Sequence, residues 1–284
     1  MIDKPAGWTS HQVVARLRRL LGTRKVGHAG TLDPMATGVL VVGVNRATRL
    51  LGHLTLADKT YHATIRLGSS TTTDDAEGEV VAKADASGTT AAAIEEQLTR
   101  LRGPISQVPS SVSAIKVAGV RSYARVRSGE DVVLAARPVL VRRFEVTGRR
   151  EVEDQIDLDV VVECSTGTYV RALARDLGAA LGTGGHLTAL RRTAVGPFTM
   201  TEASRLDDAT TDVPMIGMTV VARRCFSTLT VDDDDADAVR HGRPLDAVTL
   251  PDEQAALLDR KGTFLALYRR TAAGATAEAV FDPA

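Results

Sequence analysis

The stretch Gly27-His28-Ala29-Gly30-Thr31-Leu32-Asp33-Pro34-Met35-Ala36-Thr37-Gly38 constrains this chain more tightly than any other. Its three glycines let the backbone bend sharply and let another backbone or a ligand come close. Asp33 precedes a proline, which pushes its own backbone toward an extended or turn conformation. The stretch holds one carboxylate and one imidazole, and no serine or cysteine nucleophile. It reads as a loop that displays a single carboxylate at its tip, beside a histidine able to stack or donate a hydrogen bond. A catalytic acid would be displayed this way. So would an Asx-type turn whose carboxylate caps its own backbone, and spacing alone does not separate the two.

The segments around this loop alternate between helical and extended periodicity. Thr9 or Ser10 caps a helix whose apolar stripe is Val13, Val14, Leu17, Leu20 and Leu21, stopped at Gly22. Val39 to Val44 reads as a buried strand. In Tyr61 to Leu67, Tyr61, Ala63, Ile65 and Leu67 share one face, so Tyr61 points inward. Residues 68–90 read as a turn-rich connection, Ala91 to Leu101 as a helix, and 107–131 as a mobile insertion. Ile156 to Cys164 alternates as a strand. Ser165-Thr166-Gly167-Thr168 ends it and caps a helix with the stripe Val170, Leu173, Ala174, Leu177 and Leu181. Tyr169 and Arg171 fall at that strand-to-helix junction, where residues line clefts. His186 to Thr193 reads as a short helix. A linker follows at 207–214. Asp232 to Asp235 begins a helix, and Phe264–Arg270 and Glu278–Phe281 are short strands.

Charge is balanced overall, with 35 basic and 35 acidic residues, but it is unevenly placed. Residues 1–205 hold 27 Lys and Arg against 21 Asp and Glu, whereas 206–284 hold 8 against 14. Arg16, Arg18, Arg19, Arg24 and Lys25 gather just before the Asp33 loop. A basic amino-terminal part suits a polyanionic partner. No apolar run is long enough to cross a bilayer, so no membrane association is expected. Neither Cys164 nor Cys225 belongs to a Cys-x-x-Cys pair, which argues against zinc or disulfides and for a reducing, cytoplasmic setting.

Asp3-Lys4-Pro5-Ala6-Gly7-Trp8-Thr9-Ser10 followed by the Gly27–Gly38 loop resembles the TruB family of tRNA pseudouridine synthases. The same holds for Tyr61 with Arg66-Leu67-Gly68, Gln107-Val108-Pro109-Ser110 with Ser113-Ala114-Ile115-Lys116, Cys164 through Arg171, Gly185-His186-Leu187, and Leu190-Arg191-Arg192. The tail resembles a PUA domain more loosely, through Arg240-His241-Gly242-Arg243 and the closing strands. Met1 nearly abuts the first motif, where the family has several more residues, so a shortened start is expected.

The resemblance implies an α+β fold: a mixed, largely antiparallel central sheet flanked by helices over residues 1–210, plus a small β-rich PUA-like domain over 225–284. It implies isomerisation of the uridine at position 55 of the tRNA T-loop to pseudouridine, with no cofactor and no metal. Asp33 is then the catalytic carboxylate and Arg171 pairs with it and keeps it ionised. Tyr61 stacks on the uracil, Tyr169 and Leu190 complete the pocket, and His28 enters the space left by the flipped base. Lys4 and Pro5 shape the floor beneath the loop, Gly30 supports the site, and Lys116 belongs to the insertion that grips the T-arm. The expected partner is the tRNA T-arm stem-loop, bound by a monomer with no obligatory protein partner. A non-catalytic tRNA-binding protein of the same fold and a guide-RNA-dependent relative are the competing readings.

Overall fold

The computed structural model describes residues 1–55, 57–110, 134–207, 210–246 and 248–283, and the backbone alone at 116–117 and 120–121. The chain opens with β1 (Ile2–Lys4) and α1 (Ser10–Leu20). Of the two candidate caps, Thr9 is the one used. Its hydroxyl accepts from the Gln12 amide, and the Gln12 side chain accepts from the Thr9 amide, a reciprocal capping box. Val13, Val14 and Leu17 bury the helix's apolar stripe against Ile2, Val26 and Leu40. β2 (Val26–Ala29) and β3 (Thr37–Val44) pair antiparallel and carry the Asp33 loop between them, and the single turn α2 (Leu51–Leu54) follows.

β4 (Lys59–Leu67) alternates as its sequence predicts, with Tyr61, Ala63, Ile65 and Leu67 buried. The 68–90 connection is more ordered than a run of turns, because β5 (Ser69–Thr71) and β6 (Val80–Lys83) pair within it. Thr71, Val80 and Val81 are β-branched and supply strand preference inside a polar segment. α3 (Ala91–Arg100), capped by the Thr90 hydroxyl, leads to β7 (Gly103–Gln107). Most of the expected 107–131 insertion lies outside the described residues. Its backbone shows β8 (Lys116–Val117) paired with β9 (Val120–Arg121), and the side chain of Lys116 lies outside the description.

The long β10 (Arg137–Val152) and β11 (Gln155–Cys164) precede α4 (Val170–Ala180). The Ser165–Thr168 turn does not cap α4 by side chain. The Thr168 hydroxyl donates to the Ser165 carbonyl, and Tyr169 occupies the cap position without capping the helix by its side chain. Segment 186–193 is a strand, not the helix its spacing suggests: β12 (Gly185–Val195) runs through the middle of the sheet. A bulge between Leu187 and Ala189 inserts one extra residue. Leu187 lies opposite Ile65 and Leu190 opposite Ala63, so two residues three apart both face inward and mimic a helical stripe.

β13 (Phe198–Thr199) and β14 (Ser204–Arg205) complete a sheet ordered β14-β1-β3-β12-β4-β11-β10-β7, with β2 on β3 and β13 on β12. Among the described residues of this sheet only the β1–β14 and β3–β12 strand pairs are parallel, as a mixed, largely antiparallel sheet requires. α5 (Met218–Cys225), β15 (Ser227–Thr230), α6 (Asp233–Arg240), β16 (Leu245–Asp246), β17 (Gln254–Leu258), β18 (Phe264–Thr271) and β19 (Gly274–Val280) follow. These five strands form a second sheet, ordered β15-β17-β18-β19-β16. Asp232 caps α6 by accepting from the Asp235 amide, so the acidic run starts a helix as expected. One apolar cluster joins the two sheets: Val39, Leu50, Leu54 and Phe198 meet Leu258, Phe264 and Phe281. The architecture is α+β.

α4 is held against the start of β12 by backbone contact. A Cβ on Gly178 would lie 2.2 Å from the Gly184 carbonyl carbon and the Gly185 nitrogen. Neither can yield without moving the strand. Gly178→Ala should therefore cost about 3 kcal/mol, the upper range for overpacking a core. Thermal unfolding checks this, and an unchanged midpoint would show that helix and strand can separate freely.

Candidate active site

The Asp33 loop is fastened from below by the first residues of the chain. Buried Ser10 accepts from the Leu32 amide at 2.9 Å and donates to the Leu32 carbonyl at 3.1 Å. The Pro34 carbonyl accepts from the Gly7 amide at 2.9 Å and from Lys4 Nζ at 3.1 Å. Lys4 is fully buried and also donates to the carbonyls of Pro5 and Trp8. Burial pushes its pKa down to about 8. Lys4 and Pro5 thus lie beneath the loop. Gly30 and Gly38, at φ +77° and +102°, supply the left-handed turns at either end. The turn itself closes by a backbone bond from the Ala36 amide to the Asp33 carbonyl. The Asp33 carboxylate is instead directed to Arg171.

Arg171 is the second residue of α4, and its side chain is 4% exposed. Its Nε lies 3.1 Å from Asp33 Oδ2 and 3.5 Å from Asp75 Oδ2, and its Nη1 donates to the Thr73 carbonyl at 2.8 Å. Asp75 is also buried. Its Oδ1 accepts from the Thr73 hydroxyl and the Glu77 amide. One guanidinium therefore spans two carboxylates, of which Asp33 is 38% exposed and opens to solvent.

Both carboxylate and guanidinium line a cleft of about 260 Å³, together with Tyr61, Tyr169 and Leu190. Burial pushes the Tyr61 pKa up, against a pull down from the neighbouring Arg192 guanidinium. Gln107 pins the Tyr169 backbone from both sides: its Nε2 donates to the Tyr169 carbonyl at 3.1 Å, and its Oε1 accepts from the Tyr169 amide at 2.9 Å. Of the residues expected in the pocket, His28 stands apart from this wall. It lies on β2 with its ring edge-on to His11, centroids 5.6 Å apart.

Four residues of this region escaped the sequence analysis as site residues. Lys59 and Arg192 line the cleft, Asp75 shares Arg171, and Gln107 sets Tyr169. Lys59 had a signal, since it lies on the inward face of β4, two residues before Tyr61. Arg192 would have shown one had β12 been read as a strand, because it occupies the same interior as Leu190. Among the described residues no group of three His, Cys, Asp or Glu is arranged to hold a metal ion. No helix among them is long and apolar enough to cross a membrane.

Comparison with known proteins agrees with this architecture. Residues 18–170 match the TruB family pseudouridylate synthase N-terminal domain. Residues 171–214 match a tRNA pseudouridylate synthase B C-terminal domain, and 226–282 match the tRNA pseudouridine synthase II C-terminal domain. A tRNA pseudouridine synthase B of Nocardia farcinica is 60% identical over 269 residues, 94% of this chain and 87% of that protein. One of Cutibacterium acnes is 60% identical over 272 residues, 95% of this chain and 92% of that protein. Among solved structures, a chain of a Cbf5-Nop10-Gar1 complex superimposes with a TM-score of 0.72 at 27% identity, covering 99% of this chain and 84% of its own. The chain belongs to the TruB family of tRNA pseudouridylate synthases, enzymes that isomerise uridine.

Proposed function

We propose that this chain converts the uridine at position 55 of the tRNA T-loop to pseudouridine, with Asp33 as the catalytic carboxylate. The observation that carries this reading is the Asp33–Arg171 pair opening into a cleft whose walls are Tyr61, Tyr169 and Leu190. The cleft suits one heterocyclic ring and its sugar, not a duplex, so the target base must leave its stack. Extrusion costs a few kcal/mol, which stacking on Tyr61 and packing against Leu190 and Tyr169 offset. Asp33 then faces C1′ while Arg171 holds its carboxylate in place. The C1′–N1 bond breaks, the uracil turns, C5 bonds to C1′, the C5 proton leaves, and N1 gains a proton. His28 fills the space left in the loop. Residues 1–210 form the catalytic domain and 225–284 a PUA-like domain.

The protein does this as a monomer on cytoplasmic tRNA without a guide RNA. The test is incubation of the purified chain alone with an unmodified T-arm hairpin, followed by mapping of pseudouridine. Conversion at the single T-loop position is expected. Conversion that requires added proteins or a guide RNA would favour the particle-bound reading, and tight binding without conversion would favour a non-catalytic tRNA binder.

The T-arm backbone meets the exposed basic residues beside the loop. Arg18, Arg19, Arg24 and Lys25 are exposed, whereas Arg16 is half-buried and donates to the Thr210 carbonyl at 2.9 Å. Arg18→Glu with Arg19→Glu should weaken tRNA binding and reduce the slope of log K against log salt by about two. An unaltered slope would remove this face from the interface.

A further inference from the structure

The cleft has a second charged corner that the Asp33–Arg171 pair does not use. Lys59 and Arg192 meet beside Gly30. A Cβ built on Gly30 would lie 3.3 Å from Arg192 Nη1 and 3.6 Å from Lys59 Cε. Both side chains are buried, at 8% and 1% exposure, and both line the cleft. Their acceptors are backbone carbonyls: Lys59 Nζ donates to Thr55 at 3.1 Å and Ala57 at 2.7 Å, and Arg192 donates to Val39 and Gly30, each at 2.8 Å. Among the described residues no carboxylate lies within ion-pair distance of either. Two neighbouring buried cations without a counter-ion repel each other and have lost much of their hydration. The ammonium has a third N–H direction beyond its two carbonyls. That arrangement is complementary to negative charge arriving in the cleft.

We propose that Lys59, backed by Arg192, stabilises the negative charge that appears on the uracil when its glycosidic bond breaks. The proposal rests on the function given above. When C1′–N1 breaks heterolytically, its electron pair stays with the ring and spreads over N1, O2 and O4. Bond formation between C5 and C1′ consumes that pair; loss of the C5 proton and protonation of N1 complete the isomerisation. The charge exists only between those two bond changes. Cations already fixed in a cleft stabilise such a transient anion without reorganising. Arg192 stands opposite Tyr61 where β12 pairs with β4, and both line the cleft, so the cationic corner reaches the wall on which the ring stacks.

The charge on Lys59 is itself titratable. Burial and Arg192 push its pKa down to about 8, and Cys164 and Asp58 pull it partly back. Arg192 lies on β12, Cys164 on β11 and Asp58 just ahead of β4, and of these neighbours only Arg192 opposes the charge.

The experiment compares wild type, Lys59→Met and Lys59→Arg on the T-arm hairpin in single turnover, with RNA affinity measured separately. Lys59→Met should slow conversion at saturating RNA by about 100-fold, the size of losing one preorganised charge-stabilising group. Its RNA affinity and salt slope should stay as in wild type. The wild-type rate should fall above about pH 8 as Lys59 loses its proton. Lys59→Arg, which keeps its charge, should be active at neutral pH and lose that fall. An affinity loss with a shallower salt slope and an unchanged saturated rate would make Lys59 a phosphate contact and overturn the proposal. So would a Lys59→Arg profile that falls with wild type. Should Lys59→Met not fold, the Lys59→Arg profile decides alone. Absence of pseudouridine from wild type would instead overturn the proposed function.

Discussion

Asp33→Asn should abolish pseudouridine formation while leaving the protein folded and its RNA affinity intact. The substitution keeps the shape of the side chain and removes its charge and nucleophilicity. Arg171 retains Asp75 and the Thr73 carbonyl as partners, so no buried cation is orphaned. The loop is fastened through the backbone of Leu32 and Pro34, not through the carboxylate. Stability should therefore change by no more than about 1 kcal/mol, as for a partly exposed group outside the core. Activity should fall by about four orders of magnitude or more, the scale seen when a residue that forms or breaks bonds is removed. RNA affinity should stay within about threefold, because an interaction needed only in the transition state contributes little to ground-state binding. The check is pseudouridine mapping after long incubation, beside a binding isotherm. Conversion at even one-hundredth of the wild-type rate would take the bond-breaking role away from Asp33 and leave it as an ion-pair partner of Arg171 alone.

The parts of this site that could be read from the sequence are those whose signal is local. Tyr61 faces inward because a period of two places it with Ala63, Ile65 and Leu67, and the strand obeys that period. The α1 cap was legible as Thr9 or Ser10, and the capping box with Gln12 makes it Thr9. The Asp33 loop was visible through Gly30, Gly38 and Pro34. What stayed hidden depends on the sheet. β12 was misread because one bulge places Leu187 and Leu190 on the same face at helical spacing, and no propensity marks a bulge in advance. Asp75 looked like part of a polar turn. It becomes a buried ion-pair partner only because the segment around it bridges to Leu187 and presents it to Arg171. The pairing of Asp33 with Arg171 itself came from family resemblance, since they lie 138 positions apart and nothing in either local pattern points to the other. Lys59 and Arg192 are the same lesson in charge: each is unremarkable on its own strand, and they form a cationic corner only where β4 and β12 pair.

Replacing Arg171 by Met should damage stability and activity together, and a second substitution should separate the two. Met keeps the unbranched apolar stem of the side chain and removes the guanidinium between Asp33 and Asp75. Asp33 is partly exposed and can rehydrate. Asp75 is 4% exposed and cannot. Removing one partner of a buried ion pair typically costs 3–5 kcal/mol, and about 3 is expected here because the Thr73 hydroxyl and the Glu77 amide still bond Asp75. For a chain of this size that lowers the melting temperature by about 5 °C. Activity should fall at least about 100-fold, because the Asp33 carboxylate loses the contact that fixes its position, and displacement by an ångström is enough for that loss. Adding Asp75→Asn removes the stranded charge while keeping a polar group for Thr73 and Glu77. The double variant should recover most of the lost melting temperature and none of the lost rate. Recovery of both would mean that Arg171 serves only to neutralise Asp75, and recovery of neither would mean that the guanidinium's bond to the Thr73 carbonyl, not its charge, holds the junction together.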